Sequence, residues 1–421
     1  MSLGQRHLSC AATIGLFFLA GSTATYAQST CTTVFFGRDL PFGFSPLSCS
    51  QAAVVGTMNS VAQETSQVAI GSVDLVLQNR RDELYYSTAH AYSMAPLGYA
   101  SDPVVSKAPI TPTPVPPPQA AIAPAVWLQP VGDWQRVNLI TATGDFSHGT
   151  DSGGVQAGLD GTITNIIGAD AVVMGIVGGY TDSRASYANP GSAARISGPG
   201  IGVYGTYVKS GFSADFVTKW DFFDLKYSFV DQSGFYGPPG GAPFSPSIRL
   251  TNFTVAANVQ YRFDLTKSAF FEPTAGFSYV DTRYDGNQTI PVPRFSGCTG
   301  FSPTPSTCSF GLQDGYSVRV QGGARFGTEW INNGVTFIPS LTALAYSDVK
   351  ITGNATQNLV PASLAGPPLI TPTDEGKVRG QVRVAMDIQI GNGFSMCPEA
   401  EVRFGNDLFA GGLRLNLRKQ W

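Results

Sequence analysis

Residues 148 to 154 contain the side-chain types that a nucleophilic serine site would need. His148 precedes the run Thr150-Asp151-Ser152-Gly153-Gly154, which resembles the loop around the nucleophile of a serine protease. Such a serine needs a histidine base and an orienting acid, both held by a packed scaffold. His148 is four residues from Ser152, too near in sequence to fold back onto it. We therefore favour a loop that leads into a strand over a catalytic site.

Other patterns that could bind a phosphate or a metal ion are incomplete. The glycine-rich stretch 237–241 lacks the lysine and the strand-to-helix context of a phosphate loop. His90 and His148 do not stand at zinc-ligand spacing from the cysteines. The sequence therefore predicts a protein that is not an enzyme and that has no cofactor and no metal site.

A group of charged residues alternates along the chain near the C-terminus. On a strand, Glu399, Glu401 and Arg403 would share one face with Cys397, and Arg379 or Arg383 on the preceding strand could pair with the glutamates. One interpretation is a catalytic carboxylate pair, and the other is a ladder of opposite charges that stabilises a wall of strands. We favour the ladder.

The N-terminus has the features of a secretory signal peptide. Arg6 and His7 precede an apolar stretch, and small residues follow as far as Ala27, so residues 1–27 are predicted to be removed. Export places the remaining cysteines in an oxidising compartment, where local disulfides form. The sequence predicts two such pairs, with free thiols as the alternative in each: Cys31 with Cys49, and Cys298 with Cys308.

The composition is unusual for a soluble chain of 421 residues. Only 13% of the residues are charged, against about 25% in an ordinary soluble domain. The 48 glycines and 11% aromatic residues favour strands and turns over helices. The formal net charge of −3 offers no basic field for nucleic acid. Since no internal run of about 18 apolar residues exists, helical membrane spans are excluded.

Before residue 126 the sequence predicts a short, mainly helical segment and a linker. Residues 28–95 form a passenger or plug with one helix at about 51–86, whose end, Arg80-Arg81-Asp82-Glu83, is expected to be solvated. Residues 96–125 form a proline-rich linker, because the nine prolines between 96 and 124 exclude a helix or a central strand.

After Trp127 apolar and polar residues alternate, as they do in strands with one apolar and one polar face. Across 252–263, for example, Phe253, Val255 and Ala257 interleave with Asn252, Thr254 and Ala256. About twelve strands are predicted, at 126–138, 153–165, 169–182, 198–209, 211–228, 249–263, 269–284, 314–330, 334–349, 377–391, 393–404 and 407–421.

The connections between these strands alternate between short and long, which is typical of an outer-membrane barrel with short periplasmic turns and long extracellular loops. The long ones are about 183–197, 229–248, 285–313 and 350–376. A secreted sandwich or solenoid would also alternate apolar and polar residues, but so many polar positions would leave it too small a core. The predicted fold is therefore all-β: a monomeric, twelve-stranded antiparallel transmembrane barrel surrounded by outer-membrane lipid, with a lumen wide enough for an extended segment or a single helix.

Residues 126–421 resemble the autotransporter (type V secretion) outer-membrane β-domain family. The resemblance rests on the order of Trp127, the glycine-rich runs 153–160, 177–180 and 202–207, Phe271-Glu272-Pro273 and a C-terminal aromatic residue. It implies that the last strand carries a signal for the barrel assembly machinery, at Phe409, Leu413, Leu415, Leu417 and Trp421. It also implies that the linker threads the lumen of a barrel in the outer membrane of a Gram-negative bacterium.

These predictions leave more than one function open. The barrel could anchor and export its short N-terminal segment to the cell surface. Alternatively, its long loops could act as an adhesin or surface antigen while the N-terminal region fills the lumen, or the barrel could be a small pore. The helix at 51–86 could lie in the lumen or outside it. In all three cases Arg379, Arg383, Glu399, Glu401 and Arg403 are predicted to face the lumen.

Overall fold

The structure is a computed structural model of the chain. It describes residues 49–93, 122–141, 144–164, 170–188, 192–230, 243–244, 247–285, 289–292, 306–309, 312–353, 355–356, 369–370 and 375–421, and within the helix the side chains of residues 56–85. The predicted signal peptide, most of the predicted linker, and Cys31 and Cys298 lie outside the described residues.

Twelve antiparallel strands form a closed barrel, which confirms the predicted fold class. Each strand pairs with the next in the chain, and the first and last strands close the ring along a register from Ala125 opposite Gln420 to Val137 opposite Leu408. The strands are β1 (Ile122–Val137), β2 (His148–Thr164), β3 (Asp170–Tyr187), β4 (Ala193–Lys209), β5 (Phe212–Val230), β6 (Ser247–Tyr261), β7 (Ala269–Tyr284), β8 (Gly315–Thr328), β9 (Val335–Ile351), β10 (Val378–Ile390), β11 (Phe394–Phe404) and β12 (Leu408–Gln420).

Several short strands lie in the connections between the barrel strands, where they pair with each other or with the end of a barrel strand. They are Ile140–Thr141 with Gly144–Asp145, Pro243–Phe244, Phe263–Asp264, Thr289–Val292 with Ser306–Ser309, Trp330–Asn332, and Ala355–Thr356 with Leu369–Ile370.

Three predicted boundaries are wrong because strands extend into segments expected to be irregular. The stretch around Ser152 is part of β2, which begins at His148, and is not a loop. Most of the predicted loop 183–197 belongs to β3 and β4, since Ala185, Ala194 and Ile196 pack in the lumen. β1 begins at Ile122 and includes Pro124, which stands near its start, a position where a strand accepts proline.

The two ends of the barrel differ in their connections. At one end, the short-turn end, chain reversals at Asn333-Gly334 and Asn392-Gly393 place successive residues at positive φ, from 50° to 79°. Asparagine and glycine adopt this conformation readily in tight hairpins. The other end, the long-loop end, carries the extended connections after β5, β7 and β9. In outer-membrane barrels the short turns are periplasmic and the long loops extracellular.

One helix is present among the residues that the structure describes, α1 (Cys49–Ser93), and it lies inside the barrel. At the long-loop end Met58 and Val61 pack against Tyr187 and Tyr284, and at the short-turn end Leu84 packs against Val173. The stretch 56–85 rises about 44 Å at 1.5 Å per residue, so it crosses the whole lumen. In the described part of the chain, no helix has the length and apolar character needed to cross a membrane.

The core of the protein lies between α1 and one side of the wall. Two clusters of buried residues join the helix to β3–β7. The larger one joins Met58, Val61 and Ala62 to Ile196, Phe223, Leu225 and Leu250, and the second joins Ile70, Val73, Val76 and Leu77 to Val177, Tyr204 and Val217.

The outer face of the barrel also carries many apolar residues. Large side chains that alternate with the lumen-facing ones are exposed, including Leu128, Leu159, Met174, Ile176, Ile201, Val203, Phe216, Leu341 and Leu413. In an outer-membrane barrel these residues face lipid, where an arginine or lysine at mid-depth costs about 2–4 kcal/mol. This explains why charge is scarce in the composition.

One glycine of β2 makes room for a tryptophan. Trp127 on β1 lies directly opposite Gly158, and an added Cβ at Gly158 would lie 2.5 Å from two ring atoms of Trp127 and 2.6 Å from the carbonyl oxygen of Ile176. The Trp127 Nε1 donates a hydrogen bond to the Tyr204 hydroxyl (2.6 Å), which in turn donates to Asp160 (3.0 Å). Trp127, Tyr204 and Asp160 therefore form a chain of hydrogen bonds along the inner wall, and Asp160 contacts Arg80 of α1.

We predict that Gly158→Ala lowers the free energy of unfolding by about 1–3 kcal/mol, because both the ring and the neighbouring backbone must move. Urea unfolding followed by heat-modifiable gel mobility would measure the loss. Gly178→Ala is the matched control, since its added Cβ meets nothing closer than 3.8 Å. Equal stability of the two variants would show that the contact with Trp127 is not limiting.

Candidate functional site in the barrel lumen

Four consecutive charged residues of α1 contact the wall in four directions. Successive helical residues are about 100° apart, so Arg80, Arg81, Asp82 and Glu83 point around most of the lumen. The ion pairs are Arg80–Asp160 at 2.7 Å, Arg81 with Asp215 and with Glu272 at 3.5 Å, Asp82–Arg325 at 2.5 Å, and Glu83 with Arg418. We call these four helix residues and their five wall partners the lower clamp.

The prediction that this segment is a solvated helix end is wrong. Arg80, Arg81 and Asp82 are buried, as are Asp160, Asp215 and Arg325 on the wall. A mixed run of charges is usually solvated, but here each side chain is neutralised by a residue far along the chain. The barrel surrounds the helix, so little of the helix surface at this level is exposed, and Glu83, at 17%, is the most exposed of the four side chains.

A second set of ion pairs, which we call the upper clamp, contacts α1 nearer the long-loop end. Glu64 accepts hydrogen bonds from Arg319 (3.1 Å) and Arg403, and Asp74 accepts one from Arg383 (2.9 Å). Arg403 also donates to Asp133 at 2.6 Å. Glu64 and Asp74 are therefore held by arginines of β8, β10 and β11.

The five charged residues predicted from β10 and β11 are all buried in the barrel. Arg383 and Arg403 contact α1 directly, whereas Arg379 donates to Asp407 at 3.4 Å. Glu399 and Glu401 do not pair with Arg379 or Arg383: each accepts a hydrogen bond of 2.6 Å from Arg414 on β12. Their guanidinium partner comes from the following strand because Arg414 lies directly opposite Glu399 in the register.

Sequence reasoning missed the helix residues Glu64 and Asp74 and the wall residues Asp133, Asp160 and Asp215. One signal could have found them. The wall residues are charged and stand at lumen-facing positions of predicted strands, and the charges of α1 do not fall on one face. Charge on all sides of a helix indicates that its surroundings are polar on all sides.

Neutral hydrogen bonds fix the height and rotation of α1. Three wall amides donate to helix carbonyl oxygens: Asn252 to Ala62 at 2.8 Å, Gln156 to Ala69 at 2.7 Å, and Gln129 to Ser72 at 2.9 Å. Buried ion pairs contribute little net stability because desolvation offsets their attraction, but breaking one is costly. The contacts therefore select one position of the helix more than they strengthen the fold.

Two cavities between α1 and the wall are small and lined mainly by polar side chains. One cavity of about 60 Å³ lies among Glu64, Gln67 and Arg319, and another of about 80 Å³ lies among Asp74, Arg383 and Arg414. A water molecule needs about 10–15 Å³ of such volume, so each cavity has room for a few waters. The arrangement can hold a helix and restrict passage through the lumen.

The predicted residues whose side chains the structure describes are not brought together into an acid–base or metal site. Ser152 accepts a hydrogen bond from Ser183 (2.8 Å), and His148 stands four strand residues away, about 13 Å along β2. Within the described residues, no group of three or more histidine, cysteine or carboxylate side chains could hold a metal ion. Cys397 is a buried free thiol. The side chains of Cys49 and Cys308 are outside the described set, so both disulfides stay predictions.

The predicted C-terminal signal residues lie on the outer face of β12. Phe409, Leu413 and Trp421 are 48%, 68% and 68% exposed, and Leu415 and Leu417 are half-buried. Phe409 packs edge to face with Trp134 of β1, with ring centroids 5.2 Å apart. The apolar stripe therefore borders the seam where the barrel closes.

The comparisons with known proteins agree with this architecture. The family profile of the autotransporter beta-domain matches residues 126–397. The crystal structure of the beta domain of the Bordetella autotransporter BrkA is similar, with a TM-score of 0.52, 16% identity, and coverage of 70% of this chain and 99% of that one. No curated protein matches the chain.

Two further autotransporter structures align over a similar length. The translocator domain of NalP from Neisseria meningitidis has 11% identity and a TM-score of 0.46, covering 71% of this chain and 88% of that one. The transport unit of AIDA-I from Escherichia coli has 14% identity and a TM-score of 0.45, covering 70% and 90%. The family match covers well over half of the residues, and the chain therefore belongs to the autotransporter beta-domain family of outer-membrane barrels.

Proposed function

We propose that this barrel anchors the segment before α1 in the outer membrane and exports it to the cell surface, with α1 as the final seal of the lumen. The observation that supports this is the direction of the helix. Met58 lies at the long-loop end and Leu84 at the short-turn end, so α1 begins on the side of the long loops, where an exported segment would emerge.

The closed ring supports a barrel that works as a single chain, because β12 supplies the partner of β1 and no second copy is needed. The small cavities beside α1 support export and sealing over a permanent solute pore, since a pore needs a continuous water path.

An epitope tag inserted near residue 30 tests the export. We predict that an added protease removes the tag from intact cells. A tag in the turn at Ser210-Gly211, at the short-turn end, is the control and should be digested only after the outer membrane is permeabilised. Protection of both tags in intact cells would contradict export.

We also propose that Phe409, Leu413, Leu415, Leu417 and Trp421 form the signal that the barrel assembly machinery binds. Their outward position on the closing strand supports this, because the stripe is accessible before β1 and β12 pair. We predict that deleting Trp421 lowers the yield of heat-modifiable barrel in the outer membrane several-fold. Trp421→Phe keeps an aromatic ring and should assemble normally. An unchanged yield after the deletion would argue against the signal.

A further inference from the structure

Three basic residues stand side by side on the outside of the barrel near its long-loop end. In the strand register Arg184 of β3 lies directly opposite Arg195 of β4, and Arg195 lies directly opposite Lys226 of β5. Residues opposite each other have Cβ atoms about 4.5–5.5 Å apart, and like charges in such pairs are destabilising. We call Arg184, Arg195 and Lys226 the basic row.

The basic row faces away from the lumen. Side chains alternate along a strand, and the neighbours Ala185, Ala194 and Leu225 are buried against α1. The side chains of Arg184 and Arg195 are 70% and 46% exposed, and Lys226 is exposed as well. The three cations are therefore available to a ligand beside the barrel.

Nearby carboxylates neutralise the basic row only in part. Asp182 accepts hydrogen bonds from the Arg195 Nε, at 2.9 and 3.1 Å to its two oxygens, and from the Arg195 Nη2, and it lies 4.0 Å from the Arg184 Nε. Asp151 pairs with Arg136 at 3.8 Å and Asp224 with Arg249 at 3.9 Å.

The described outer ends of β1–β6 thus carry five cations on the outer face but only three carboxylates. The cations are Arg136, Arg184, Arg195, Lys226 and Arg249, and the carboxylates are Asp151, Asp182 and Asp224. Lys226 has no ion pair within that part of the chain. This face has a surplus of positive charge that an anionic ligand would neutralise.

The height of the basic row matches the lipid headgroups. Exposed aromatic side chains on the same face mark the upper edge of the apolar band, at Tyr180 on β3 and Phe222 on β5. Arg184 and Lys226 each follow these residues by four positions, about 13 Å along a strand, or about 10 Å along the membrane normal at the usual tilt. Long basic side chains can bend back toward the interface.

We propose that the basic row binds the phosphate groups of the glycolipid in the outer leaflet. Arginine forms paired hydrogen bonds with phosphate oxygens, and lysine adds a point charge. A lipid is favoured over a soluble polyanion because the row points sideways from the wall, into the layer of surrounding headgroups. A soluble partner would approach from the loops above it.

The test uses the full chain, purified in a neutral detergent, and measures its binding of bisphosphorylated lipid A by native mass spectrometry. Arg184→Gln/Lys226→Gln removes two cations. Each cation near a lipid surface contributes about five-fold in affinity, so the double variant should bind on the order of 25-fold more weakly. Lys350→Gln/Lys377→Gln is the matched control: both lysines are exposed near the same end, on the β9–β10 side, in ion pairs with Glu375 and Asp407. Its affinity should not change.

Several results would overturn the proposal. The double variant could bind lipid A as tightly as the wild type, or the wild type could bind dephosphorylated lipid A equally well. Millimolar inorganic phosphate could displace the lipid, or heparin could bind more tightly than lipid A through the same residues. Heat-modifiable mobility shows whether each variant is folded. If the double variant is not, Lys226→Gln alone should still weaken binding about five-fold, and unchanged affinity of that variant would equally refute the proposal.

Discussion

Arg325→Met is expected to lower the free energy of unfolding by about 3–5 kcal/mol, the usual cost of removing one partner of a buried ion pair. Arg325 donates to both oxygens of Asp82, at 2.9 and 2.5 Å, and both residues are buried. Methionine replaces the unbranched aliphatic stem of arginine but cannot neutralise the carboxylate. Asp82 would then be a charged group with no partner at the level of the lower clamp.

Denaturant unfolding of the barrel in detergent, followed by tryptophan fluorescence, measures this loss. Asp82→Asn/Arg325→Met should regain most of it, because residue 82 is then neutral and Glu272, which also lies 3.9 Å from Arg325, keeps its contact with Arg81. Arg283→Met is the matched surface control: Arg283 pairs with Asp281 at 2.8 Å, but its side chain is exposed. That variant should lose less than about 1 kcal/mol. A double variant no more stable than Arg325→Met would show that the loss comes from packing and not from charge.

Deleting residues 49–93 is expected to raise the conductance of the barrel in planar bilayers by on the order of tenfold or more. The helix occupies a cylinder about 10–12 Å wide, whereas the cavities beside it measure only about 60 and 80 Å³. Without α1, water fills the lumen and hydrates the charges of the wall. The barrel can therefore tolerate the loss of the whole helix better than the loss of one partner in a dry ion pair.

Deleting residues 28–48 instead is the matched control, because it removes the chain before the helix and leaves both clamps in place. Its conductance should stay at the level of the full chain. If the barrel without α1 conducts no better than the full chain, α1 is not what closes the lumen.

Local patterns determined the strands of this protein. Along β6, β10 and β12 apolar and polar residues alternate with the period of a strand, and the structure has one strand at each of the twelve predicted places. The period also determined which face of β11 carries Glu399, Glu401 and Arg403. These features were predictable because they depend only on neighbours along the chain. The ends of β3 and β4 were not, because packing against α1 prolongs them, and β2 is prolonged by its pairing with β1 and β3.

Which charged side chains form ion pairs depends on the tertiary structure. Arg403 contacts Glu64, a residue 339 positions earlier in the chain. A local sequence pattern does not predict a contact over so long a separation. In the same way, Arg80, Arg81, Asp82 and Glu83 look in the sequence like the solvated end of a helix. Arg80, Arg81 and Asp82 are buried and Glu83 is partly buried, because a closed barrel places a complementary charge near each of them. The barrel follows from patterns along the chain. The position of the helix follows from the closed wall, since ion pairs in a low-dielectric lumen depend on the position of every partner.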